Sequence, residues 1–276
     1  RELLEMSEPI QLAADIAGEG DPTFLLIHGF CSGKEDWAPQ REALSPTNKV
    51  IVPDLRGHGA SPRGDEEMTI EQLAADCIAL ADREGAGDLV VAGHSMGTRI
   101  ALQVRNQAPD RVKGIILCDG SDAALGDREA ALATFDGAVA DGKFQAWARG
   151  LFEDMTFDEK FAAIGDARVA RALAVPEETA HPLYRNMVIW DADKAEAAMR
   201  AAGCPVLIIQ STTRGANRKR SPLAHGERGP YAEQTAARMP HAEVATIDGH
   251  GHFITVEAPE WTNGAIETWA RAHDLV

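Results

Sequence analysis

Short apolar runs alternate with amphipathic stretches along most of the chain. The runs lie within residues 23–30, 49–59, 88–93, 112–120, 204–211 and 242–249. Each holds four to six apolar residues and ends near a Gly, an Asp or a Ser, which predicts short buried strands. Strands that alternate with helices need crossover connections. We therefore expect an α/β fold with a mostly parallel central sheet covered by helices on both faces.

Two of the intervening helices have clear boundaries. Thr69 and Gln72 form a capping-box pattern before residues 70–85. One face of this helix is apolar, comprising Ile70, Leu73, Ala74, Cys77, Ile78 and Ala81. A second helix, predicted over 259–272, carries Trp261, Ala265 and Trp269 four residues apart and closes the chain.

Residues 123–202 break this alternation, because no convincing strand pattern occurs there. The segment is rich in Ala, Asp and Glu, with scattered aromatic anchors. It is predicted to be a helical cap inserted into a core formed by residues 1–122 and 203–276. Trp147 and Trp190 are candidate substrate contacts from this segment, although tryptophans more often fill a core.

A serine between two glycines stands where one predicted strand gives way to a helix. Gly93-His94-Ser95-Met96-Gly97 fits the pattern G-x-S-x-G, which in this setting indicates a nucleophile elbow. The helix N-terminus adds backbone N–H groups and a positive dipole end near the hydroxyl. The plainer interpretation is a serine that caps an ordinary turn.

A nucleophilic serine needs a base, and histidine fills that role most often. His250 and His252 both follow the last predicted strand, and we expect His252 to be the base, with His250 as the alternative. The N–H groups of Met96 and Phe30 are candidates for the oxyanion hole. His28, in the same loop as Phe30, is expected to brace that loop.

Four ordered motifs together resemble the α/β-hydrolase fold superfamily. They are HGF at 28–30, DLRGHGAS at 54–61, GHSMG at 93–97 and GHGHF followed by EAPE at 249–260. The resemblance implies a Ser-His-acid triad, no cofactor and a small-molecule substrate. It leaves the substrate open, since this fold hosts esterases, lactonases, amidases, dehalogenases, C–C hydrolases and cofactor-free oxygenases.

The acid departs from the commonest pattern of that superfamily, in which it follows the strand matching 204–211. No acid occurs after that strand until Glu227. Asp119 lies instead at the tip of the strand that follows the elbow, as it does in a minority of members such as zearalenone-type lactonases and the cofactor-free dioxygenases. Asp119 is therefore the expected triad acid, with Asp122 and Glu227 as alternatives.

The leading functional hypothesis is a serine hydrolase of a small ester, lactone or amide. The alternative is a cofactor-free dioxygenase that uses the His/Asp pair as a base on a heteroaromatic substrate. Its glycine-aromatic-cysteine loop loosely matches HGFCSG, which makes Cys31 a candidate substrate contact. Ser32 stands where those enzymes carry histidine.

The net charge and the positions of the cysteines narrow the classes of partner, cofactor and cellular location that we expect. The net charge is −16, which disfavours binding to nucleic acid or to an anionic membrane. The four cysteines are scattered without metal-ligand spacing, and the first ten residues lack a signal-peptide core, so we expect reduced thiols, no metal and a cytoplasmic protein.

One basic loop contrasts with the negative net charge of the chain. It holds Arg214, Arg218, Lys219, Arg220 and Arg228. It either grips an anionic substrate group or is simply solvated.

Overall fold

Among the described residues, nine strands form a seven-stranded sheet and a separate hairpin. The computed structural model describes residues 10–121, 127–214 and 219–276. The strands are β1 (Ala14–Ala17), β2 (Thr23–Ile27), β3 (Val50–Pro53), β4 (Leu89–His94), β5 (Val112–Cys118), β6 (Val206–Gln210), β7 (Thr212–Arg214), β8 (Arg220–Pro222) and β9 (Glu243–Thr246). The sheet order is β1-β3-β2-β4-β5-β6-β9, and only β1 runs antiparallel to its neighbour. The predicted mostly parallel α/β fold is confirmed.

Helices cover both faces of this sheet. They are α1 (Ala38–Leu44), α2 (Ile70–Arg83), α3 (Gly97–Gln107), α4 (Arg128–Val139), α5 (Phe144–Glu153), α6 (Ala162–Ala174), α7 (Glu177–Asp193), α8 (Ala195–Ala201), α9 (Gly229–Arg238), α10 (Ile254–Glu257) and α11 (Pro259–Ala272). Strand β2 shows why both faces need cover. Its Leu25 and Ile27 belong to one hydrophobic core, whereas Phe24 and Leu26 belong to the core on the opposite face.

The strand register brings the ends of β4, β5 and β6 to the same level. His94, the last residue of β4, pairs with Cys118, the last residue of β5, and Cys118 pairs with Ile209 of β6. Ser95 and Asp119 follow directly on β4 and β5. They therefore leave adjacent strands at one edge of the sheet, where α/β proteins place their ligands.

The described part of residues 123–202 contains helices and no strand. Helices α4 to α8 and a short 3₁₀ helix (Glu159–Phe161) occupy it, between β5 and β6. This agrees with the predicted helical content. Its status as a separate cap with the boundaries 123 and 202 stays a prediction.

Three features differ from the sequence-based expectations. Strand β1 was not predicted, because it is a half-exposed edge strand with only four residues. The β7–β8 hairpin was not predicted either, since its strands have three residues each and carry polar side chains. Thr69 accepts a hydrogen bond from Gln72 N as a capping box requires, but the Gln72 side chain bonds Asp76 instead of returning to the cap.

A buried ion pair joins the helical segment to the core. Arg99 of α3 donates two hydrogen bonds to Asp191 of α7, from Nε to Oδ1 at 2.9 Å and from Nη2 to Oδ2 at 2.7 Å. Both side chains are about 95% buried. A paired charge in this setting becomes costly when its partner is removed.

We therefore predict that Asp191→Asn lowers the free energy of unfolding by about 3 to 5 kcal/mol, because the Arg99 guanidinium stays buried without its carboxylate. Asp193→Asn, in the same helix, is the matched control. Asp193 pairs with Arg128 at an exposed site, so its loss costs less than about 1 kcal/mol. Urea denaturation followed by circular dichroism measures both changes, and equal losses would contradict the assignment.

Candidate active site

The turn that carries Ser95 requires both of its glycines. A Cβ at Gly93 would lie 2.0 Å from the carbonyl oxygen of Gly97, and a Cβ at Gly97 would lie 2.4 Å from that of Ile27. Ser95 itself has a φ of +55°, which non-glycine residues rarely adopt, and its N–H donates to Cys118 O at 2.9 Å. The strained turn is thus fixed by close backbone packing, and Ser95 lines a cavity.

His252 is held by its own backbone on both sides. Its N–H donates to the carbonyl of Met155, at 2.8 Å. Its carbonyl accepts a hydrogen bond from His94 Nε2, also at 2.8 Å. The neighbouring loop is tied down as well, because Ser211 Oγ donates to Gly251 O. These contacts position the imidazole relative to the strand ends.

Asp119 forms a short hydrogen bond with His252, with Oδ2 2.6 Å from Nδ1. Its carboxylate is fully buried and accepts from Ser211 N, Thr212 N and Thr212 Oγ1 at 2.6–2.9 Å. Because an ionised carboxylate can only accept, Nδ1 of His252 carries the proton. The imidazole Nε2 is then left as the acceptor that a base needs.

Opposing effects set the charges of this pair. Burial alone would raise the pKa of Asp119, but hydrogen bonds and charge from His252, Arg220 and Thr212 lower the pKa to about 2. Burial, followed by the positive charge of Arg220, lowers the pKa of His252 well below its ordinary value. The ground state therefore contains a neutral imidazole beside an ionised carboxylate.

Phe30 and Met96 lie at the same cavity, as the oxyanion-hole prediction requires. Both residues are buried. Neither backbone N–H donates to a carbonyl within the described turns and loops. Buried N–H groups almost always have partners, so two unused ones beside Ser95 are suited to a ligand oxygen.

The cavity beside Ser95 combines polar and apolar walls. The edge of the sheet contributes four of the lining residues, namely Ser95, His252, Ser32 and Phe30. The helical segment contributes an apolar wall, formed by Leu151, Phe152, Met155, Tyr184 and Met187. A cavity with this lining suits a small, partly apolar ligand.

The three predicted substrate contacts fall in different places. Trp147 lines an outer cavity that shares Tyr184, Leu151 and Met187 with the catalytic one. Trp190 is about 98% buried and donates from its indole N–H to Gln103, so it packs as core rather than as a wall. Cys31 is also buried, belongs to the hydrophobic core and is not part of the wall of the cavity that contains Ser95.

The alternatives to the predicted base and acid lie elsewhere. His250 forms a hydrogen bond with the carbonyl of Asp248 near the surface. Glu227 accepts from Ala224 N within its own turn. Asp122 and Arg218 lie outside the described residues. His28 braces its loop as expected, since Nε2 accepts from Leu55 N and Nδ1 donates to Gly29 O.

The described residues offer no group of three or more His, Cys, Asp or Glu side chains that could hold a metal ion. All four cysteines are free and buried. Within the same residues, no helix has the length and apolar character needed to cross a bilayer.

Comparison with known proteins gives the family. A profile described as the alpha/beta hydrolase family matches residues 24–265. The chain belongs to the α/β-hydrolase family. Its fold class is thereby established, and the motifs that suggested it occupy the expected strand ends.

Individual relatives of this α/β-hydrolase chain differ in chemistry. It is 26% identical over 257 residues to an (E)-2-((N-methylformamido)methylene)succinate hydrolase of Acinetobacter baylyi, covering 91% of each chain. A malate-bound thermophilic esterase from Thermogutta terrifontis is 27% identical, with a TM-score of 0.77 and coverage of 96% and 94%. The chain also matches an acetyltransferase component of the acetoin cleaving system of Pseudomonas putida, 26% identical over 274 residues. That match covers 94% of this chain and 66% of the relative.

The residues that support the His252–Asp119 pair rather than form it carry no clear signal in the sequence. Thr212 and Arg220 both contact Asp119, at 2.6 Å and 3.4 Å. Arg220 was noticed only as part of a basic loop, since nothing in its spacing indicates that the loop folds back as a hairpin. The sequence does not mark the helical residues that line the cavity, because their apolar pattern is the same as that of helices that pack in an ordinary core.

Proposed function

We propose that this α/β-hydrolase chain is a serine hydrolase that cleaves a small carboxylic ester, lactone or amide through Ser95, His252 and Asp119. The observation that carries the proposal is the 2.6 Å contact between Asp119 Oδ2 and His252 Nδ1, beside the elbow that holds Ser95. A buried acid that fixes the tautomer of a histidine is the arrangement needed to activate a serine.

The proposed reaction proceeds in two halves. His252 Nε2 takes the Ser95 hydroxyl proton while Oγ attacks the carbonyl carbon, and the N–H groups of Phe30 and Met96 stabilise the oxyanion. The imidazolium then gives its proton to the leaving group, and the acyl-enzyme forms. A water molecule, deprotonated by His252, attacks the acyl carbon and releases the acid. Asp119 stays ionised and stabilises the imidazolium throughout.

The class of bond is supported by the relatives and by the cavity. One relative is an esterase and another is a succinate-derivative hydrolase by name. The small cavity, with its apolar wall and catalytic edge, suits a compact acyl compound. No additional cofactor is part of this mechanism. The cytoplasmic location and the absence of nucleic-acid or membrane partners stay predictions.

The oxygenase alternative uses the same His252–Asp119 pair, so this pair does not distinguish an oxygenase from a hydrolase. Ser32, which stands where those enzymes carry histidine, lines the catalytic cavity. Oxygen uptake with a hydroxyquinolone in place of ester hydrolysis would favour that alternative.

Labelling with a fluorophosphonate tests the proposed nucleophile. We expect intact-mass spectrometry to show one adduct on the wild-type protein and none on Ser95→Ala, because Oγ displaces fluoride from phosphorus. Asp119→Asn should react at least about a hundredfold more slowly, since the histidine tautomer is no longer held.

Glu227→Gln is the control for the alternative acid and should react at the wild-type rate, because its carboxylate serves only its own turn. An adduct that persists on Ser95→Ala, or a folded wild-type protein that never reacts, would contradict the proposal. Slow labelling of Glu227→Gln with normal labelling of Asp119→Asn would move the acid to Glu227.

Burial of His252, followed by the charge of Arg220, should set the pH range of activity. The lowered pKa of His252 keeps the base neutral, so kcat/KM for an ester should hold its plateau down through pH 6.5 and fall only below it. Removing the positive charge in Arg220→Gln allows the pKa of His252 to rise, which moves the acid limb to higher pH.

Arg220→Lys keeps the charge and should leave the midpoint close to that of the wild-type protein. A pH profile of kcat/KM for each variant measures the midpoints. A wild-type midpoint above 6.5, or an Arg220→Gln midpoint that does not rise, would contradict this assignment of charges.

A further inference from the structure

Two arginines of the β7–β8 hairpin face the catalytic cavity. Arg214 and Arg220 are cross-strand partners, and both line the cavity that contains Ser95 and His252. This places two guanidinium groups within one small space in a protein whose net charge is −16. The general acidity of the chain does not account for them, so their local partners must be considered.

Arg220 contacts Asp119, the acid of the proposed triad. Its side chain is about 97% buried, and Nη1 lies 2.6 Å from Thr212 Oγ1 and 3.4 Å from Asp119 Oδ2. Burial and the nearby charge of Arg214 lower the pKa of Arg220 to about 10, against the opposing effect of Asp119. It therefore remains charged at neutral pH.

Arg214 lacks a comparable partner. It forms no ion pair with any described carboxylate, and its Nε is buried without a hydrogen-bond acceptor among the described residues. Asp154, which lines a neighbouring cavity together with Arg214, accepts a hydrogen bond at Oδ2 from the backbone N–H of Arg220 at 2.8 Å. Arg214 is half-buried, and its enclosed Nε is a charged donor without an acceptor, so this end of the side chain suits an anion.

A second, polar chamber lies beside the catalytic cavity. It shares Ser121, Arg214 and Arg220 with that cavity. Its other walls carry hydroxyl and amide groups, which belong to Gln210, Thr212, Thr213 and Tyr231. The catalytic cavity is thus apolar toward the helical segment and polar and cationic toward the hairpin.

We infer that the substrate carries a carboxylate, which Arg214 binds directly and Arg220 attracts while it holds Asp119. The planar guanidinium fork matches a carboxylate, and the charge-assisted hydrogen bonds would satisfy the buried Nε. The inference rests on the proposed function for its choice of bond: the substrate is a half-ester, lactone acid or amide acid, with its neutral portion against the apolar wall.

Matched esters test this preference. We expect wild-type kcat/KM for mono-4-nitrophenyl glutarate to exceed that for 4-nitrophenyl pentanoate by about tenfold or more, because only the glutarate ester can pair with Arg214. Arg214→Gln should lower the value for the glutarate ester by about tenfold, mainly through KM, and change that for the pentanoate ester by less than about twofold. Arg214→Lys should give an intermediate loss, since it keeps the charge without the fork.

Arg149→Gln removes the same charge from helix α5 and is the matched control. Arg149 is exposed, has Glu153 at 3.7 Å as its ion-pair partner among the described residues, and lines neither chamber. It should leave both esters unaffected. Equal rates for the two esters, parallel losses for both in Arg214→Gln, or the same loss in Arg149→Gln would overturn the inference.

Glutarate binding separates this inference from the proposed reaction. Isothermal titration of glutarate into Ser95→Ala should detect binding that the Ser95→Ala, Arg214→Gln double variant loses. If neither ester is hydrolysed but this binding is found, the proposed function fails and the anion site stands. If esters are hydrolysed without preference and glutarate does not bind, the function stands and the anion site fails.

Discussion

The candidate active site depends on one buried carboxylate. Asp119 lies at the end of β5, where the hairpin and the His252 loop both reach it, and it accepts hydrogen bonds from each. Burying an ion is costly unless its lone pairs are used, and here backbone N–H groups, a hydroxyl, an imidazole and a guanidinium share the two oxygens. The same contacts that stabilise the ion hold the hairpin and the loop in place. Folding and the proposed chemistry therefore share one set of bonds.

The sheet supplies the geometry that this carboxylate needs. Parallel strands in register end together, so the residues after β4 and β5 emerge as neighbours. The elbow can be tight because Gly93 and Gly97 let the backbone approach where a side chain would collide. The helical segment then contributes the Met155 carbonyl to the His252 backbone and an apolar wall to the cavity. Distant parts of the chain thus meet at one edge.

The sequence was most informative about functional residues that lie directly after a strand. The pattern predicted the α/β fold, and the positions of Ser95, Asp119 and His252 could be proposed because each lies just beyond a predicted strand. Contacts made by irregular segments could not be predicted in the same way. The hairpin has no apolar alternation, so the contact of Arg220 with Asp119 carried no signal. Trp190, which is buried, illustrates the same limit, since a large aromatic residue in a helical segment has the same sequence pattern whether it faces a ligand or the core.

The protonation state and tautomer of His252 provide the most direct test of the proposed triad. Nuclear magnetic resonance of protein with ¹⁵N-labelled histidines, with His252 assigned by comparison with His252→Gln, reports which ring nitrogen carries the proton. The proposed triad predicts a neutral ring at pH 6.5 with the proton on Nδ1, hydrogen-bonded to Asp119, and loss of that signal in Asp119→Asn. A proton on Nε2, or an imidazolium at pH 6.5, would contradict it.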